Sequence, residues 1–172
     1  MLKSDIPYLP DAFDRYIIAA YDVEIIEGLM KAKEDIQSIP FTQLEQLGEK
    51  AYAPEKWTVK DMFQHMIDTE RIFNYRALRF ARLDATALPG FEENNYAANA
   101  DASHRTMKDL IQEFLTVRET TIQLFSSFTN KMLLAEGTAS GRKITTLALG
   151  YSIIGHQLHH YKILEERYLV ML

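Results

Sequence analysis

The chain contains no cysteine, so disulfides, cysteine-ligated zinc and a thiol nucleophile of its own are excluded, and any thiol chemistry must use a thiol brought in. Helix breakers are scarce: there are seven glycines and five prolines, and four of the prolines (Pro7, Pro10, Pro40 and Pro54) fall in the first third. Nowhere do about 18 uncharged apolar residues follow one another, which argues against a membrane-spanning helix. The opening MLKSDIPYLPDAFDRY has no apolar run of signal-peptide length, so a cytoplasmic location is expected. Positive charge is also in deficit. A net charge of −5 with no basic stripe argues against nucleic-acid binding by phosphate neutralisation. What is present, 47% apolar and 25% charged residues, is an ordinary globular composition at a length suited to one domain over residues 1–172.

Where breakers are few, periodicity decides. AYDVEIIEGLMKAKEDIQ sets Val23, Ile26, Leu29 and Met30 three and four apart, an amphipathic helix that ends before Pro40. PFTQLEQLGEKAYAPEKW reads as a short helical turn and a loop. Thr58, with Asp61 three residues on, caps a second long helix, TVKDMFQHMIDTERIFNYRALRFARL. DATALPGFEENNYAANADAS reads as a loop. Ser103 or Asp101 is expected to start a third helix through Phe128, and Gly137 and Gly141 mark a second loop before a fourth helix. Four long amphipathic helices without alternating apolar runs predict an all-α four-helix bundle.

Three of the five histidines stand close together in the fourth helix, in YSIIGHQLHHYKILEERY. Residues four apart lie almost above one another on a helix, so His156 and His160 share a face, together with Leu149, Ile153 and Ile163. That face is expected to point inward. His159 falls in a stripe with Gly155, Lys162 and Glu166 and is expected to point outward. The same projection on the second helix aligns His65 with Met62, Thr69, Ile72, Arg76 and Phe80, with Lys60, Gln64 and Arg71 on the wet side. Three inward imidazoles on two helices are the right number and type for one divalent ion with an open position. Two neighbouring chemistries fail on detail: Gln157 stands where a zincin protease needs its Glu, and Met62 and Ile153 stand where a di-iron bundle needs carboxylates.

The stretch KWTVKDMFQHMIDTERIF resembles the W-[ST]-x-x-[DE]-x-x-x-H-x-x-[DE] signature of the DinB/YfiT-like metalloenzymes, and GHQLHHYKIL is similar to their H-x-x-H-H segment. The resemblance implies a bundle of up-down-down-up topology that binds nickel, zinc or another divalent ion. Carried over by position, its ligands are His65, His156 and His160, the residues the projection selects. It further implies a thiol-dependent transferase, in which a low-molecular-weight thiol is activated and attacks a small electrophile. The alternative is a non-catalytic, metal-stabilised or stress-linked binding module.

Around these histidines, Asp68 is expected either to orient an imidazole or to be a solvated helix charge. Arg76 is expected either to hold an anionic substrate or to pair with Glu113 or Glu119. The opposite side of the fourth helix, with Leu147, Ile154, Leu158 and Tyr161, is apolar as well, so a homodimer interface is expected to cover it. His104 is expected on the surface, and Trp57 and Tyr52 against the core.

Overall fold

Capping chemistry fixes where the longest helix begins. Asp61 N donates to Thr58 Oγ1 at 3.1 Å, and Thr58 N donates to the Asp61 carboxylate at 2.9 Å, a reciprocal capping box. The computed structural model describes residues 1–172. In chain order its elements are α1 (Asp14–Ala19), α2 (Ile25–Ser38), α3 (Phe41–Leu47), α4 (Val59–Ala81), α5 (Glu93–Ala100), α6 (Met107–Ser126), α7 (Asn130–Leu133), β1 (Glu136–Ala139), β2 (Arg142–Thr145) and α8 (Thr146–Ile163). A π-type turn over Leu164–Tyr168 continues α8. No helix is long and apolar enough to cross a membrane.

Helices α2, α4, α6 and α8 form the bundle, and pairs of touching residues give their directions. Phe63 meets Phe114 at 6.4 Å between ring centres and Asn74 Nδ2 donates to Thr121 at 2.7 Å, so α4 and α6 run the same way. Ile154 lies against Gly28, and Gln157 Nε2 donates to the Ala32 carbonyl at 2.8 Å, so α2 and α8 also run together. The other pairings are opposed. Lys33 of α2 pairs with Glu119 of α6, whereas Ile25 and Phe125 meet at Gly150. Tyr168, just beyond α8, donates to the carbonyl of Trp57, just ahead of α4. The four helices therefore run up, down, down and up.

Two apolar clusters fill the bundle. One gathers Ile17, Leu29, Phe73, Phe80, Phe125 and Ile153, and the other Ile36, Leu44, Phe63, Leu110, Phe114 and Leu164. Between them lies a polar layer. Glu70 receives two bonds of 2.8 Å from Arg118, whose side chain is 0% exposed, and one from the Thr121 hydroxyl at 2.5 Å. Gln157 and His156 of α8 border this layer beside Glu70.

Several readings are corrected. The stretch taken as a loop over 84–103 contains α5, whose N-cap Glu92 accepts from Asn95 N. The second loop is a β-hairpin in register Ala139↔Arg142, turned by Ser140 (φ 52) and Gly141 (φ 75); two positive φ values suit the twist of a two-residue hairpin. The cap of α6 is Thr106, not Ser103 or Asp101. Helix α2 buries Ile25, Gly28, Leu29, Ala32 and Ile36 and leaves Met30, expected on its apolar side, exposed. On the apolar outer side of α8, Leu147 and Ile154 are buried within the chain, Ile154 against Gly28 of α2, whereas Leu158 and Tyr161 stay half-buried, so the face expected to form a homodimer is narrower than its sequence implies.

Candidate metal centre

Helix α4 supplies His65, and α8 supplies His156 and His160 one turn apart. The three side chains are 4%, 4% and 7% exposed. Their Nε2 atoms converge, at 3.0 Å between His65 and His156 and 3.1 Å between His156 and His160. Burial strips water from the rings and disfavours their charged forms. This loss of solvation, added to by charge at His159, pulls His65 down to about 4. The same loss, reinforced by the neighbouring imidazoles, holds His156 and His160 well below the ordinary histidine value. All three are thus neutral near pH 7, the state in which an imidazole nitrogen can bind a cation.

The spacing also fits an ion. Three nitrogens at 2.0 to 2.1 Å from a tetrahedral centre stand about 3.3 Å from one another, close to the separations seen. His65, His156 and His160 form a group whose ligand atoms lie within 4.8 Å, and it could hold one metal.

The walls around the triad are aromatic. Trp57 lies 4.7 Å from His65 and 6.4 Å from His160, the latter nearly parallel at 24°. Tyr16 of α1 meets His156 edge-on at 5.2 Å. Thr69 Oγ1 is 3.5 Å from His65 Nδ1, on the edge of the ring away from the converging nitrogens. His160 opens onto a cleft of about 210 Å³ with Tyr52, Glu55, Trp57, Asn94 and Tyr168. Glu55, Trp57 and Asn94 also line a neighbouring, wider cavity of about 590 Å³ closed by Ala97, Ala98 and Ser103. Glu55 is held at φ 61, a strained backbone for a non-glycine residue at the rim of both.

The structure brings the three expected ligands together and disperses the other candidates. Asp68 reaches none of the rings; it accepts from Gln64 Nε2 at 3.0 Å and stands 3.9 Å from Arg71. Gln64, expected on the wet side, is buried and also receives a bond from Arg105 at 2.6 Å. Arg76 pairs with neither Glu113, which takes Arg71 and Arg105, nor Glu119, which takes Lys33. His159 is half-buried under α1, 5.6 Å from the Tyr16 ring, while His104 is exposed beside Asp101. Trp57 is a wall of the site rather than a core residue, and its place in the tryptophan-led motif is the one sequence signal for that. The Glu70–Arg118 pair has no such signal.

A bundle of four helices with a buried, neutral histidine triad is an architecture that could hold a metal ion, and sequence comparison supplies the family. The model of the DinB superfamily matches residues 34–164, and the chain belongs to that superfamily. Among solved structures it is similar to YfiT from Bacillus subtilis, described as a probable metal-dependent hydrolase with an unusual four-helix bundle topology. The two superpose with a TM-score of 0.77 over 91% of this chain and 97% of the other, at 14% identity, so the likeness is one of fold. No curated protein matches the chain.

Proposed function

We propose that this chain is a metal-dependent enzyme acting on small molecules, a thiol-dependent transferase whose one divalent ion, nickel or zinc, is held by His65, His156 and His160. The observation that carries this reading is the convergence of three buried, neutral Nε2 atoms beside an aromatic cleft. A bound ion would lower the pKa of a thiol or water placed at its open position. The remaining work falls to the chain. Thr69 and the ring of Trp57 hold His65 in place, Trp57 also stacks on His160, and Trp57, Tyr52 and Tyr168 give the electrophile an apolar seat that keeps water away. Three protein ligands leave a fourth position free, which favours catalysis over a purely structural ion. A low-molecular-weight thiol suits a centre whose buried carboxylate, Glu70, is committed to Arg118.

Hydrolysis is the second reading. Glu55 lines the same cleft as His160 and has no ion-pair partner, so it could take a proton from water, and the resemblance to YfiT points the same way. Elemental analysis of untagged protein should find one divalent ion per chain and its loss in His156→Ala; equal metal content in the two would overturn the site. The visible spectrum of cobalt-substituted protein should change when a thiol is added. A spectrum unmoved by thiols, together with ester cleavage that disappears in Glu55→Gln, would transfer the assignment to a hydrolase.

A further inference from the structure

Arg76 is 2% exposed and forms no ion pair. Its two side-chain hydrogen bonds both leave from Nη2, to the Pro89 carbonyl at 2.8 Å and to Ser140 Oγ at 3.1 Å. Nε and Nη1 therefore donate to no protein atom, yet neither is among the fully enclosed orphan atoms of the fold. A guanidinium withdrawn from water without a carboxylate is an unfavourable arrangement, and its loss of solvation lowers its pKa. The rings beside it give cation–π contact near the outer limit of its range, the guanidinium carbon being 5.7 Å from the centre of Phe73 and 6.0 Å from that of Phe91, and neither supplies a negative charge. Nη2 is anchored with both of its hydrogens spent, while Nε–H and the Nη1–H groups, which lie on different edges of the guanidinium, are left without a partner.

The guanidinium is two ring contacts from the triad. Phe73, 5.7 Å from the guanidinium, is itself 6.4 Å from the His156 ring. A tripeptide-sized ligand spans about 10 Å when extended, enough to cover both steps.

We propose that Arg76 is the anion-binding position of the site, and that it receives a carboxylate of the thiol cosubstrate while the sulfur end lies at the triad. The inference rests on the thiol reading above and narrows it to peptide-like thiols bearing a carboxylate. Arg76 offers a carboxylate a fixed positive charge and unspent N–H donors on Nη1 and Nε. Its anchored Nη2 keeps the guanidinium in place before the ligand arrives. Because Ser140 and Pro89 hold it, the β1–β2 turn and the segment before α5 position the guanidinium without touching ligand.

The test uses metal-reconstituted protein, with glutathione and its dialkyl ester as probes, which have the same thiol and differ in charge. Calorimetry should show the acid binding at least ten-fold more tightly than the ester. Arg76→Gln should bring the two to equal affinity with metal content unchanged, and Arg76→Lys should restore part of the preference. Ser140→Ala, which removes one anchor and leaves the charge and the Pro89 anchor, should weaken the preference without abolishing it. Equal affinities for acid and ester in the unaltered protein, or a preference that survives intact in Arg76→Gln, would overturn the role of Arg76 and leave the thiol reading standing. Metal-replete protein that binds neither probe would overturn the thiol reading and this inference with it.

Discussion

Replacing Gly155 by alanine separates two lines of reasoning that predict opposite signs. Intrinsic helix propensity favours alanine over glycine by about 1 kcal/mol inside a helix, and Gly155 occupies an interior position of α8. The packing opposes it. A Cβ at this position would stand 1.7 Å from the Tyr16 carbonyl oxygen and 2.5 Å from its carbon, both backbone atoms, whereas ordinary contact begins at 3.4 Å. That oxygen already accepts from Ala20 N within α1, so it cannot swing aside. Helix α1 must retreat by more than an ångström or leave its seat, which uncovers Tyr16 and Ile17, both buried. Exposing two such side chains costs about 1.5 to 3 kcal/mol each; less the propensity gain, the net loss is about 3 kcal/mol. Urea unfolding should show this loss, and limited proteolysis should cut first within residues 10–24. A Gly155→Ala variant as stable as the parent, or more so, would refute the close crossing of α1 over α8.

Two further predictions concern the polar layer. Glu70→Ala should destabilise the fold by about 3 to 5 kcal/mol, because it strands the fully buried Arg118 without its partner. The double change Glu70→Leu with Arg118→Met should recover most of that in the same denaturation assay, and a near-neutral single variant would contradict the pairing. In metal-free protein, the depressed imidazoles make stability acid-sensitive: the unfolded chain takes up protons below about pH 6.5, which the folded triad resists. Stability should be complete above that value and decline as the pH falls towards 4, with His65 alone accounting for about 2 kcal/mol by pH 5. Urea midpoints that do not differ between pH 7 and pH 5 would count against a buried, uncharged triad.

The features legible in the sequence were those whose signal repeats along one helix. The Thr58–Asp61 cap, the four long helices and the inward placement of His65, His156 and His160 all follow from spacings of three and four. Features made by two distant segments were not legible. Gly155 shares a stripe with Lys162 and Glu166, and nothing in that stripe reveals that the backbone of α1 rests on it. Glu70 and Arg118 look like separate helix charges until α4 and α6 are laid side by side in the same direction. Helix α5 was missed because ENNYAANA has eight residues and one buried position, Ala97, too short a stretch for a period to show. The hairpin had a signal that the loop reading overrode: Ser140-Gly141 is a two-residue turn between short β-capable runs.

The parallel pairing of α4 with α6 has a consequence for how this scaffold can change its chemistry. Helix α4 has 23 residues, about 34 Å along its axis, and because α6 starts beside the beginning of α4, residues 82–106 must carry the chain back over that whole length. This return strand passes the mouth of the histidine centre, where Asn94, Ala97 and Ala98 face the tryptophan-bearing loop across the wider cavity. A connector obliged by topology has thus become one side of the entrance. Asn94 and Ala98 are exposed, so substitutions there can reshape what enters while the ligands and the two apolar clusters stay as they are. Diversification in this architecture has a route through its longest link, with the histidine-bearing frame inherited intact.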